Sequence, residues 1–153
     1  MKKFKFQLET LLKVTKMKRD DAQVKFAEAS RLLEDQQEQL THLLEEMQQG
    51  QRDYDSLTNG KHITVGTLMT YNSFFAWKRE QIEMQQTAIL QSRANRQKCL
   101  AELMKLIAKL KSIEQLKERR LQQYKEQLIF EEQKMLDEIG LQLYMRGRQD
   151  DGT

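Results

Sequence analysis

Apolar residues recur along this chain at alternating steps of three and four. From Leu8 the series runs through Leu12, Thr15, Arg19, Ala22, Phe26, Ala29, Leu33, Gln36, Leu40, Leu43, Met47, Gly50, Tyr54 and Leu57. Steps averaging 3.5 residues keep one stripe on one side of a slightly under-wound helix, and seven unbroken heptads exceed what a coiled coil requires. The pattern predicts a helix over about residues 5–57. It stops at "LTNGKHIT", where Asn59-Gly60 supplies residues that tolerate the left-handed conformation of a helix C-cap. Thr64 then has the side chain of an N-cap, with Ile63 and Leu68 placed as a hydrophobic staple.

A second series follows: Leu68, Tyr71, Phe75, Lys78, Ile82, Gln85, Ile89, Ser92, Arg96, Cys99, Leu103, Leu106, Leu110 and Ile113. Beyond it the phase slips, and Lys117, Leu121, Tyr124, Leu128 and Met135 fit only with a stutter that unwinds the supercoil locally. The pattern predicts helix from about 65 to 143, with a turn inside 58–66 and a flexible tail over 144–153.

A short turn between two long helices makes them antiparallel neighbours. If Leu57 faces Leu68, facing residues sum to 125. Gly50 then meets Phe75, Leu43 meets Ile82, Ala22 meets Leu103 and Leu12 meets Ile113. Ala29 opposite Arg96 and Leu33 opposite Ser92 predict a looser middle. Leu8 opposite Lys117 leaves some 25 residues of the second helix without an internal partner, about 40 Å at 1.5 Å per residue. The expected fold class is all-α: a single coiled-coil domain over 1–153, a long antiparallel two-helix hairpin with an overhanging C-terminal helix.

Composition strengthens this reading. None of the 153 residues is proline, 39% are hydrophobic and 32% are charged, which suits long helices with a thin seam. The net charge of +3 conceals segregation. Residues 1–20 carry seven Lys/Arg against two acids, 93–120 nine against three, and 28–55 two against eight. The single cysteine, Cys99, excludes an internal disulfide and fits a reducing compartment. The basic start "MKKFKFQ" lacks the apolar run of a secretory signal, and no stretch has the ~18 apolar residues of a membrane span. A cytosolic protein is expected.

Catalytic chemistry finds little support. A two-helix hairpin offers no enclosed cleft, and "DSLTNGKHIT" has Asp55 and His62 where a phosphate-binding loop needs glycine and a hydroxyl. His42 and Glu45 lie one turn apart, without the further ligands a metal requires. No catalytic residue, metal or cofactor is expected, and the chain is read as a non-enzyme. The basic segment 93–120 holds no aromatic residue to stack on bases, so nucleic acid is not an expected partner.

"YNSFFAWK" raises a different question. Tyr71 and Phe75 fall on the seam beside Tyr54, whereas Phe74 and Trp77 fall outside it, and Met84 lies one heptad after Trp77. An outward stripe of Phe, Trp and Met has the composition of a protein-binding hot spot. Tyr54, Tyr71, Phe74, Trp77 and Met84 are the candidate residues for it. At the chain's other extreme, Lys105, Lys109 and Lys111, with the unpaired seam positions Leu121, Leu128, Met135 and Ile139, form a second candidate docking region.

The opening "FKFQLETLLKV", the size near 150 residues and "ITVGTLMTYNSFFAWKREQIEMQ" after the turn resemble the bacterial flagellar export protein FliJ family. The resemblance covers essentially the whole chain. It implies a component of the flagellar type III export apparatus in the cytoplasm, peripheral at the inner membrane. It implies a long antiparallel coiled coil similar to the central stalk of rotary ATP synthases. Such a stalk binds in the hexameric ring of the flagellar export ATPase and promotes its assembly and activity. The implied further partners are the membrane export-gate protein FlhA and empty export chaperones. The family's gate-binding surface flanks the turn, which carries over to Tyr54, Tyr71 and Phe74; at Lys78 this chain departs from the usual Leu. The corresponding stalk of a virulence type III secretion system, a generic coiled-coil scaffold and a nucleic-acid-binding protein are the alternatives.

Overall fold

The computed structural model describes residues 3–60 and 62–150. It contains two long helices packed against each other, α1 (Glu9–Thr58, 50 residues) and α2 (Val65–Asp150, 86 residues), an all-α helical hairpin. Lys61 of the expected turn and residues 151–153 of the expected tail lie outside the described residues.

The turn follows its sequence signals. Gly60 adopts φ 78°, a conformation that L side chains resist, directly after the end of α1. The Thr64 hydroxyl accepts from the Thr67 amide at 3.2 Å, and the Leu68 amide bonds to the Thr64 carbonyl at 3.1 Å. Thr64 is therefore the N-cap of α2, supplying an acceptor to one of the four amides that a helix start leaves unpaired.

Two boundaries differ from expectation. α1 begins at Glu9 rather than near residue 5, and residues 3–6 are not helical. The F-x-F-x-L pattern has a period of two rather than the helical period, and a turn at residues 7–8, closed by the Glu9 amide bonding to the Phe6 carbonyl at 3.1 Å, leads from it into α1. α2 continues to Asp150, through the stretch 144–150 expected to fray.

The chain comprises two compact units. The first combines residues up to Met17 with those from Ile107 onward. Its core is Phe6, Leu12, Leu110 and Ile113, with Phe4, Leu8 and Leu116 packed against it. Phe6 is also covered by the Arg120 guanidinium, 5.7 Å from the ring centroid, and the Phe4 and Tyr124 rings lie 5.5 Å apart. The N-terminal segment thus covers α2 beyond Lys117, so the stretch without an internal partner is shorter than the helical register implies. Lys117 bonds to Glu9 at 2.9 Å. Thr15, 1% exposed, would be costly to bury unsatisfied, but its hydroxyl donates to the Leu11 carbonyl at 2.7 Å.

The second unit is Lys18–Leu106. Ala22, Ala29, Ile82, Ile89 and Leu103 are buried, all on the expected stripes. In the middle the seam is polar rather than loose. Gln85 donates its side-chain amide to the Gln36 carbonyl at 2.8 Å, Ser92 donates to the Gln36 side chain, and Arg96 donates to Ser30 at 3.0 Å while lying 5.0 Å from the Phe26 ring centroid. Hydrogen bonds take the place of apolar packing at these positions, and among the described residues no buried side-chain nitrogen or oxygen lacks a partner, as burial of polar groups demands. Leu57 and Leu68, expected to face each other beside the turn, are each 38% exposed.

Candidate partner-binding surfaces

In the second unit, helical spacing gathers the aromatic residues of α1 and α2. Tyr54 meets Tyr71 edge-on, with ring centroids 5.4 Å apart, and Phe75 at 6.2 Å. Phe74 and Phe75 touch at 5.5 Å with their planes at 66°. Edge-to-face contacts place the positive ring edge on the negative face, which adds to the gain from burying apolar area.

Gly50 does not receive Phe75, as the register implies, but Phe74, whose Cζ would lie 3.2 Å from a Cβ built on the glycine. The ring leans inward from beside the seam because a glycine leaves the space for it. Phe74 is consequently half-buried, as are Tyr54 and Tyr71. Trp77 and Met84 are exposed, at 53% and 67%. Met84 lines an open groove of about 450 Å³ with Gln39, His42, Leu43, Gln81 and Gln85. The His42 ring nitrogen lies 3.8 Å from the Glu45 carboxylate on the exposed surface.

Sequence reasoning missed one member of this surface. Lys78 sits at a seam position and is only 4% exposed. Its ammonium donates to the Glu46 carboxylate across the helices and stands 5.1 Å from the Trp77 ring centroid and 5.7 Å from that of Phe74. A lysine interrupting an apolar series was the available signal; its acidic partner, one residue off the facing position, was not.

In the first unit, Leu121 and Leu128 are half-buried, whereas Met135 and Ile139 are 65% and 47% exposed. Every described residue from 129 to 150 is exposed. The apolar side chains there exceed one stripe: Ile129, Phe130, Leu136, Leu141, Leu143, Tyr144 and Met145 all stand between 58% and 69% exposed. Upstream, Lys3, Phe4, Lys5, Arg120, Gln123, Tyr124 and Gln127 line a second open groove, of about 440 Å³. Lys109 and Lys111 are exposed in this unit; Lys105, also exposed, belongs to the other. Lys117 holds the Glu9 carboxyl below the usual carboxylate range through its hydrogen bond, with partial burial opposing the shift and the charges of Lys117, Lys13 and Lys16 adding to it.

Among the described residues no helix is long and apolar enough to cross a membrane. A search of the curated proteins gave no match. Among solved structures, the chain is similar to a putative YscO homolog from Chlamydia trachomatis at a TM-score of 0.67 and 20% identity, over 96% of this chain and 99% of that one. At that identity the likeness concerns the fold. The model of the flagellar FliJ protein family matches residues 4–149. With nearly its whole length matched, the chain belongs to the flagellar FliJ protein family.

Proposed function

We propose that this protein is a non-enzymatic stalk of the flagellar type III export apparatus, binding and stimulating the hexameric export ATPase. Family membership supports a component of type III protein export. The observation that carries the finer reading is the exposed apolar length of α2 between Ile129 and Met145. So many exposed apolar side chains along one helical stretch are the mark of an interaction surface. Met135 and Ile139 belong to it, the half-buried Leu121 and Leu128 extend it toward the hairpin, and Lys105, Lys109 and Lys111 steer encounter with an acidic ring, since exposed charges act chiefly on association rate.

The aromatic surface serves a second partner in the same reading: the membrane export-gate protein FlhA, with Trp77 and Met84 as its exposed contacts and Phe74, Tyr71 and Tyr54 supporting them. Handling of export chaperones belongs to the same role, and association with the inner membrane from the cytoplasmic side is peripheral, through these partners. A second reading, the corresponding stalk of a virulence-type secretion system, draws on the fold shared with the Chlamydia protein. Co-purification separates the two. Retention of the flagellar export ATPase, and not of a virulence-type ATPase, by the immobilised chain supports the flagellar stalk; the reverse preference supports the second reading, and retention of neither removes both.

A further inference from the structure

A buried lysine in a helical seam is an expensive choice. Burial strips water from the ammonium, and an apolar side chain of the same length fills the space without that penalty. Among the described residues Lys78 has one ionic partner, Glu46, whose own side chain is 57% exposed and keeps most of its water. The pair is therefore lopsided: the seam surrenders apolar packing, and the carboxylate does not need the lysine in order to be solvated.

What the ammonium does reach is two aromatic rings. It lies 5.1 Å from the centroid of Trp77 and 5.7 Å from that of Phe74. Within about 6 Å a cation is attracted by the negative face of an aromatic ring, and the attraction strengthens where water is excluded. Phe74 is fixed from its other side, since it fills the space above Gly50. Trp77, at 53% exposure, makes no ring-to-ring contact with the Tyr54–Tyr71–Phe74–Phe75 group among the described residues. A large side chain on a helix surface with nothing beside it loses rotamer entropy when a partner binds.

We infer that Lys78 is a positioning residue for the aromatic docking surface: from within the seam its ammonium holds the Trp77 indole, and secondarily the Phe74 ring, in the orientation a partner protein meets. Glu46 keeps the ammonium in place from the opposite helix. The charge itself is hidden from the partner, so it acts through the rings alone. This inference rests on the reading of Trp77 as a contact with the export gate.

The test uses the full chain with Lys78→Met, Lys78→Arg and Trp77→Ala, and the purified cytoplasmic domain of the export gate as probe. Trp77 is the only tryptophan, so its emission reports on this ring and no other. Lys78→Met is expected to melt no earlier than wild type, to let acrylamide quench Trp77 more readily, and to bind the gate domain about tenfold more weakly, the loss expected when one desolvated cation–ring contact no longer preorganises the site. Lys78→Arg keeps a cation under the rings and restores both quenching and affinity. Unchanged quenching and affinity in Lys78→Met, beside weakened binding by Trp77→Ala, overturn the role of Lys78 alone. Wild-type affinity in Trp77→Ala overturns the docking reading and the inference with it.

Discussion

Replacing Gly50 with alanine sets two effects of known size against each other. Glycine inside a helix is worse than alanine by about 1 kcal/mol, because it surrenders more backbone freedom on folding. On that ground alone Gly50→Ala stabilises the protein. The added methyl, however, overlaps Cε1 of Phe74 and comes within 3.2 Å of its Cζ. Gly50 is buried and Phe74 half-buried, so the ring leaves only by giving up its contact with Phe75 at 5.5 Å and its place over the Lys78 ammonium. Overpacking of this kind costs roughly 1–3 kcal/mol. The steric effect wins, and Gly50→Ala is expected to destabilise by about 1 kcal/mol. In a Phe74→Ala background the obstacle is gone, and the same substitution should stabilise by about 1 kcal/mol. Urea unfolding followed by far-UV circular dichroism on all four proteins gives the coupling, expected near 2 kcal/mol and well above the scatter of independent sites. Equal stabilisation in both backgrounds refutes the packing of Phe74 on Gly50.

Two further outcomes follow from the first unit. Among the described residues, truncation after Leu128 removes only exposed side chains, and it retains the Phe4–Tyr124 contact. Melting of that unit should therefore shift by less than about 0.5 kcal/mol, while sedimentation with the export ATPase is lost; full sedimentation by the truncated chain removes α2 beyond Leu128 from the interface. The Glu9 carboxyl, depressed below its ordinary pKa of 4.5 chiefly by the Lys117 hydrogen bond, contributes stability that is complete above that value and disappears as pH falls through its lower folded-state value. Lys117→Met should flatten this acid-side dependence of the urea midpoint, and an unchanged slope shows that the pair does not couple to folding.

The seam was legible because a coiled coil writes its contacts in the sequence at a fixed period. Leu12, Ala22, Ile89, Leu103, Leu110 and Ile113 lie on the expected stripes and are all buried. The cap at Gly60 and the N-cap at Thr64 were legible for a local reason, since each depends on the conformational preference or hydroxyl of one residue. The start of α1 falls later than about residue 5 because the helical series begins only at Leu8, while Phe4 and Phe6 repeat at a period of two and residues 3–6 are not helical. Phe74 was misplaced because a heptad assigns a position to a side but does not tell how far a large ring leans toward a glycine across the seam. The hydrogen bonds of Gln36, Gln85, Ser92 and Arg96 were beyond reach for a related reason: the sequence shows that polar residues share a stripe, and only coordinates show which donor finds which acceptor. At the aromatic surface the exposure of Trp77 and Met84 followed from the period, and the ammonium beneath Trp77 did not.

As the proposed stalk, this chain activates an ATPase ring. ATP hydrolysis is followed while the full-length protein is titrated into a fixed amount of purified flagellar export ATPase. The expected rate rises with added protein and saturates at one chain per assembled ring. A hydrolysis rate that stays flat across the titration, with the added protein folded by circular dichroism, contradicts it.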